Sequence, residues 1–161
     1  MENQFSVRRF SQGDEETLVQ VIRENLTQIN QHDYGIESMN ELAVSFTPQK
    51  ILRQSLLGNM YVGVDDDTNE VIACVTIAPF FESKTESILL SFFVDVRYHR
   101  KGIGRLLFNA IKNDSYYLRA RRIEVPSSLY AEKFYLKLGF EYKNKIRSLD
   151  SQNYVRMEIL R

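Results

Sequence analysis

The stretch "SILLSFFVDVRYHRKGIGRLLFNAIKND" (Ser87 to Asp114) most constrains the fold of this chain. A β-rich apolar run leads into a basic, glycine-punctuated loop and then into a helical repeat. Ile103, Leu106, Leu107, Ala110 and Ile111 fall at i, i+3, i+4, i+7 and i+8, which predicts a helix with one buried face. Its first turn carries Gly102 and Gly104, each costing about 1 kcal/mol relative to alanine inside a helix. Where a strand feeds a helix, the unpaired amides of the first turn converge and the helix dipole adds positive charge, so an anion is held there. Arg97, His99, Arg100, Lys101 and Arg105 crowd the same stretch against a single Asp95, which suits a pyrophosphate better than a carboxylate. A tight turn with solvated basic residues would read the same way. The segment has neither the GxxxxGK[ST] of a P-loop nor the third glycine of a dinucleotide fingerprint.

The remainder of the chain reads as one α/β (α+β) domain spanning 1–161, without repeats or a Pro/Gly-rich linker. "FSVRRF" predicts a first strand, and Leu18, Ile22, Leu26 and Ile29 predict a helix from Asp14. After a polar break at "NQHDYG", two shorter helices follow, the second opened by Pro48. "MYVGVDDDTNEVIACVTI" predicts a hairpin whose tip, Asp65 to Asn69, is a solvated turn rather than a metal cage. After the glycine segment come a strand "RIEV", a helix from Ser128, and strands "EYKNKI" and "YVRMEIL". With 21 basic and 21 acidic residues, the net charge of zero gives no global pull toward nucleic acid or an anionic membrane. Cys74 is the one cysteine, which excludes an internal disulfide and argues against structural zinc. A reduced thiol and an N-terminal stretch without an apolar core suggest a soluble, cytoplasmic protein.

The strand "SFFVDV", the loop "RYHRKGIG" and the helix after it resemble the acyl-CoA-binding motif of the GNAT superfamily of N-acetyltransferases: Gln or Arg, two residues, Gly, one residue, then Gly or Ala. His99 stands at the first position and Val96 where proline is common, two departures in an otherwise matching segment. "SSLYAEKFYLKLGFEY" is similar to the family's later helix through Ser128, Ala131, Phe134, Tyr135, Leu138, Gly139 and Phe140. Physical reasoning supports the same element: Ser128 caps it, one face is apolar, and Gly139 stops it.

The resemblance implies a mixed, mostly antiparallel sheet flanked by helices, with acetyl-CoA as co-substrate and no metal. Acetyl-CoA would be held by main-chain groups of Phe93 and Val94 at a bulge, by His99, Arg100, Lys101, Gly102, Ile103, Gly104 and Arg105, and by Ser128 and Tyr135. Tyr135 is the family-matched general acid for the departing sulfur, and an ordinary tyrosine is protonated at neutral pH; Tyr130 is its rival. The family's usual base position falls on Ile88. Glu86, two residues earlier and on the same face of a regular strand, is the nearest carboxylate and the candidate base. His32 and Asp33 could line an acceptor pocket, with Glu37 and Glu41 adding acidity for a cationic acceptor.

The reading is direct transfer of acetyl to a primary amine of a small molecule or amino-acid derivative, with a peptide N-terminus or protein lysine second. Cys74, with no activating neighbour in sequence, argues against an acyl-enzyme. A homodimer is allowed, and neither nucleic acid nor membrane is an expected partner. A non-catalytic acyl-CoA-binding module is the rival from another class, favoured by the missing carboxylate at Ile88 and opposed by Tyr135. A nucleic-acid surface built on Arg97 to Arg105, Arg119, Arg121 and Arg122 lacks stacking aromatics.

Overall fold

The computed structural model describes residues 4–161. Strands β1 (Phe5–Arg9), β2 (Asn59–Asp65), β3 (Glu70–Pro79), β4 (Glu86–Val94), β5 (Arg122–Ser127), β6 (Glu141–Tyr142) and β7 (Val155–Leu160) form one sheet in the order β1-β2-β3-β4-β5-β7-β6. Every neighbouring pair is antiparallel except β4 and β5. Helices α1 (Asp14–Asn25), α2 (Gln31–Tyr34), α3 (Ile36–Ser45) and α4 (Pro48–Ser55) separate the first two strands. Helix α5 (Ile103–Ile111) with the short α6 (Ser115–Leu118) links β4 to β5, and α7 (Glu132–Leu138) links β5 to β6. Among the described residues, no helix is long and apolar enough to cross a membrane.

Two cores cover the two faces of the sheet. Leu18, Ile22 and Leu26 of the first helical segment meet Met39, Ala43 and Ile51 over Met60, Val62 and Cys74. On the other face, Ile103, Leu107, Phe108 and Ile111 of α5 pack on Ile72, Val75, Ile77, Leu89, Ile123 and Tyr135. Each aliphatic side chain buried in this way contributes about 1.5–3 kcal/mol through the hydrophobic effect.

Local chemistry sets the element ends. Thr47 accepts a hydrogen bond from the Lys50 amide at 3.2 Å and caps α4, with Pro48 in its first turn. The β2–β3 turn is held by Asp65, which accepts from the Asp67 amide at 3.0 Å. Three expectations are corrected. No polar break interrupts "NQHDYG": α1 runs through a π-helical turn at Leu26–Asn30 into α2, and Gly35, at φ 90°, ends it. The strand expected over "EYKNKI" stops at Tyr142, because Asn144 and Lys145 take left-handed conformations (φ 55° and 63°) and turn the chain away. The helix expected from Ser128 begins at Glu132, because Ser128 Oγ ties back the Ala131 amide at 3.2 Å in a turn ahead of it.

Candidate functional site

The parallel contact between β4 and β5 spans three register pairs, Glu86 with Arg122, Ser87 with Ile123 and Ile88 with Glu124. Beyond Ile88 the strands part, and β4 from Leu89 to Val94 has no partner on its β5 side. A bulge lies in this open portion. The ladder passes from Thr76–Leu90 to Cys74–Phe93, so Ser91 and Phe92 oppose Val75 alone, and Ser91 takes φ 47°.

Register decides which main-chain groups face the opening. The Asp95 amide donates to the Ile72 carbonyl at 2.7 Å, so Asp95 and Phe93 turn toward β3 while Val94 turns away from it. The assignment of Phe93 as a main-chain cofactor ligand is therefore corrected: its backbone belongs to the β3 ladder, and its ring packs edge-on to Phe46 at 6.4 Å. By the same alternation, Phe92 joins Val94 at the open edge. Sequence reasoning missed Phe92 because a bulge formed by a serine carries no sequence mark.

The basic loop is fastened from several sides. Asp95 accepts from the Arg97 amide at 2.9 Å and from its guanidinium at 2.7 Å. Burial alone would raise the Asp95 pKa, but these bonds and the Arg97 charge together hold it below the usual carboxylate range. Tyr98 Oη donates to Asp65 at 2.7 Å, tying the loop to the hairpin. His99 Nε2 lies 2.8 Å from the Val94 carbonyl, and Tyr130 Oη lies 3.5 Å from His99 Nδ1. Arg97 is thus spent on Asp95 and, at 3.5 Å, Glu70. Arg100, Lys101 and Arg105 are exposed and form no salt bridge among the described residues. They flank the first turn of α5, where Gly102 takes the N-cap position at φ 83°. The residues present fit a pyrophosphate: unpaired amides, a dipole end and three uncommitted cations in one place.

The two glycines have separate reasons. Gly102 supplies a left-handed conformation in open space. Gly104 lies under the Phe134 ring, where a Cβ would stand 2.7 Å from Cζ. Close packing of α7, rather than approach of a phosphate, accounts for the second glycine.

Tyr135 is buried at 5 % exposure among Phe92 (ring centroids 6.0 Å), Phe134 (5.3 Å) and Phe140 (5.4 Å). Burial pushes its pKa well above the ordinary tyrosine value, so its hydroxyl stays protonated. Ser128 Oγ accepts from the Ala131 amide at 3.2 Å, and Gly139, at φ 102°, ends α7.

Glu86 is corrected as candidate base. It sits at the closed end of β4, held by Arg122 at 2.7 Å and roughly 20 Å along the strand from Phe92 at ~3.3 Å per residue. Opposite Ile88, the fully buried Glu124 is surrounded by Arg122 (2.7 Å), Lys143 (2.8 Å) and Arg156 (2.6 Å). Its own burial would raise its pKa, but the three cations together hold it low. His32, Asp33, Glu37 and Glu41 are exposed on α2 and α3. The α2 residue that turns inward is Tyr34, whose hydroxyl donates to the Asn153 carbonyl and accepts from the Leu129 amide, both at 3.0 Å. Among the described residues no cluster of three or more His, Cys, Asp or Glu could hold a metal.

The sheet thus opens between two parallel neighbours beside a glycine-capped helix. Residues 30–161 match the family model of the acetyltransferase (GNAT) domain, and the chain belongs to that family. It is an acetyl-CoA-dependent acetyltransferase. Among solved structures it is similar to PaiA N-acetyltransferase from Thermoplasma acidophilum in complex with coenzyme A, at 20 % identity and TM-score 0.80 over 99 % of this chain and 100 % of that one. It is also similar to Ard1 from Thermoplasma volcanium, at 22 % identity and TM-score 0.74 over 98 % of each chain. A GCN5-related N-acetyltransferase structure from Rhodopseudomonas palustris is similar at 13 % identity and TM-score 0.78, over 100 % of this chain and 98 % of that one. No curated protein matches the chain.

Proposed function

We propose that the chain moves acetyl from acetyl-CoA directly to the primary amine of a small molecule or amino-acid derivative. The open edge of β4 carries this reading. Val94 offers its amide there, Tyr135 packs on Phe92 beside it, and the uncommitted cations Arg100, Lys101 and Arg105 lie beyond. A donor on the open edge polarises the thioester carbonyl as the amine attacks. As the C–S bond breaks, Tyr135 Oη gives its proton to the sulfur and CoA leaves as a thiol, while the acylated nitrogen loses its proton to solvent, which returns one to Tyr135. The amine needs an unprotonated lone pair. Glu86 lies at the closed end of β4, paired with Arg122, and Glu124 is buried and enclosed by three cations, so neither reaches the amine and deprotonation is assigned to solvent.

The Tyr34 bridge supports a compact acceptor. It fastens α2 to the segments before α7 and before β7, which bounds the face opposite α5. Cys74 takes no part: it is buried and its thiol donates to the Ser91 carbonyl at 3.2 Å.

The test is CoA release from acetyl-CoA with a panel of amines, amino acids and peptides, for the wild type, Tyr135→Phe and Glu86→Gln. Tyr135→Phe should lower kcat by about 10²-fold while calorimetric binding of acetyl-CoA persists. With solvent as base, kcat/KM should rise with unit slope in pH up to the pKa of the acceptor, and Glu86→Gln should leave that profile unchanged. Acetyl-CoA binding without turnover of any amine would favour a binding module instead.

A further inference from the structure

Asn25 is a buried polar residue with no place in the chemistry described so far. It stands at the last position of α1, where the π-helical turn begins, and is 6 % exposed. Its Nδ2 donates to the Val21 carbonyl of its own helix at 2.9 Å and to the Val94 carbonyl of β4 at 2.8 Å. The Val94 carbonyl also meets His99 Nε2 at 2.8 Å, from the opposite side of the chain's course. A carbonyl oxygen has two lone pairs, and here both are taken. The two donors come from different layers: Asn25 from the helix over one face of the sheet, His99 from the loop that leads into α5 on the other.

We propose that Asn25 is a positioning residue that, together with His99, saturates the Val94 carbonyl, so that β4 presents acetyl-CoA with a donor at this point and no acceptor. A ligand at the open edge must then meet Val94 with an oxygen rather than with an amide N–H. That fixes the polarity and register of the pantetheine–thioester arm along the strand. It also gives the histidine at the motif's first position a task that the usual glutamine could perform, since both donate from a side-chain nitrogen. The inference rests on the placement of acetyl-CoA at this edge.

Selective labelling reads the two groups separately. Phe93–Val94 is the one Phe–Val step in the sequence, so ¹³C′-Phe with ¹⁵N-Val isolates the Val94 amide. Val64–Asp65 and Val94–Asp95 are the two Val–Asp steps, so ¹³C′-Val with ¹⁵N-Asp gives two carbonyl signals, and Asn25→Leu identifies that of Val94. Addition of acetyl-CoA should move the Val94 amide proton downfield and leave its carbonyl in place. Movement of the carbonyl instead, as His99 or Asn25 is displaced, would overturn the proposal.

The kinetic arm uses Asn25→Leu, His99→Ala, the double variant and His99→Gln with the best acceptor. Each single change leaves one donor on the carbonyl and should lower kcat less than about fivefold, while the double should lose on the order of a hundredfold through misplacement of the edge. His99→Gln should restore kcat to within about twofold of wild type. Effects that merely multiply, or that follow melting temperature without a kcat change, would overturn the role. If no amine is turned over, the labelling arm still decides the proposal, and that outcome counts against the proposed activity alone.

Discussion

Gly104→Ala places two known effects of similar size in opposition, and the structure decides the sign. Alanine in the first turn of α5 should gain up to about 1 kcal/mol of helix propensity. Its Cβ would stand 2.7 Å from Phe134 Cζ and 2.9 Å from Cε1. Ordinary carbon contact begins near 3.5 Å, so the ring must retreat by about 0.8 Å. It has little room, because it packs edge-on to Phe92 at 5.5 Å and against Tyr135 at 5.3 Å. Overpacking of this kind costs about 1–3 kcal/mol, which leaves a net loss near 1 kcal/mol. Urea unfolding of the wild type and the variant measures it, with the double variant Gly104→Ala/Phe134→Leu as control. The smaller side chain should recover most of the loss, so the two changes should be non-additive. A variant stabilised by the full propensity gain would refute the steric reasoning and return Gly104 to a cofactor-only explanation.

Glu124→Gln should destabilise the fold by about 3 kcal/mol or more, because Arg122, Lys143 and Arg156 lose the carboxylate they share, and chemical denaturation measures it. Cys74, whose pKa burial pushes up to about 12, should resist iodoacetamide at pH 8 in the native protein and react only as it unfolds. The Asp95 pKa lies lower in the folded than in the unfolded chain, so its contribution is present above about pH 4 and is lost as pH falls through the folded value. Replacing Arg97 by Met leaves burial dominant at Asp95. Melting temperature followed from pH 6 to 2.5 should then begin its acid decline at a higher pH than in the wild type.

What was legible in the sequence was local. The buried face of α5, the aspartate turn between β2 and β3, and the stop at Gly139 each depend on residues within a few positions of one another. The misreadings share a cause in distant contacts. Gly104 answers to Phe134, thirty positions on, and Glu86 answers to Arg122 on a strand that is its neighbour only in space. Phe93 faces β3 rather than the open edge because Ser91, a residue with no preference for positive φ, makes the bulge that sets the register. The π-helical turn at "LTQIN" has no sequence marker, and Tyr34 gains its meaning from Leu129 and Asn153.

The three-pair contact between β4 and β5 has a mechanical side. Strands β1 to β4 form one leaf of the sheet and β5, β7 and β6 another, and within the sheet the leaves are sewn by that short seam alone. Each leaf is internally antiparallel, whereas the seam carries a few slanted parallel bonds. Thermal fluctuation should therefore concentrate there, so that the leaves breathe against one another like a book hinged at its foot, and the amides of Ser87 and Glu124, which face each other's strand across the seam, should exchange with solvent sooner than those of Ile72 or Met157. A cleft that must admit a long, flexible substrate arm and later release it is thus built along the softest line of the sheet.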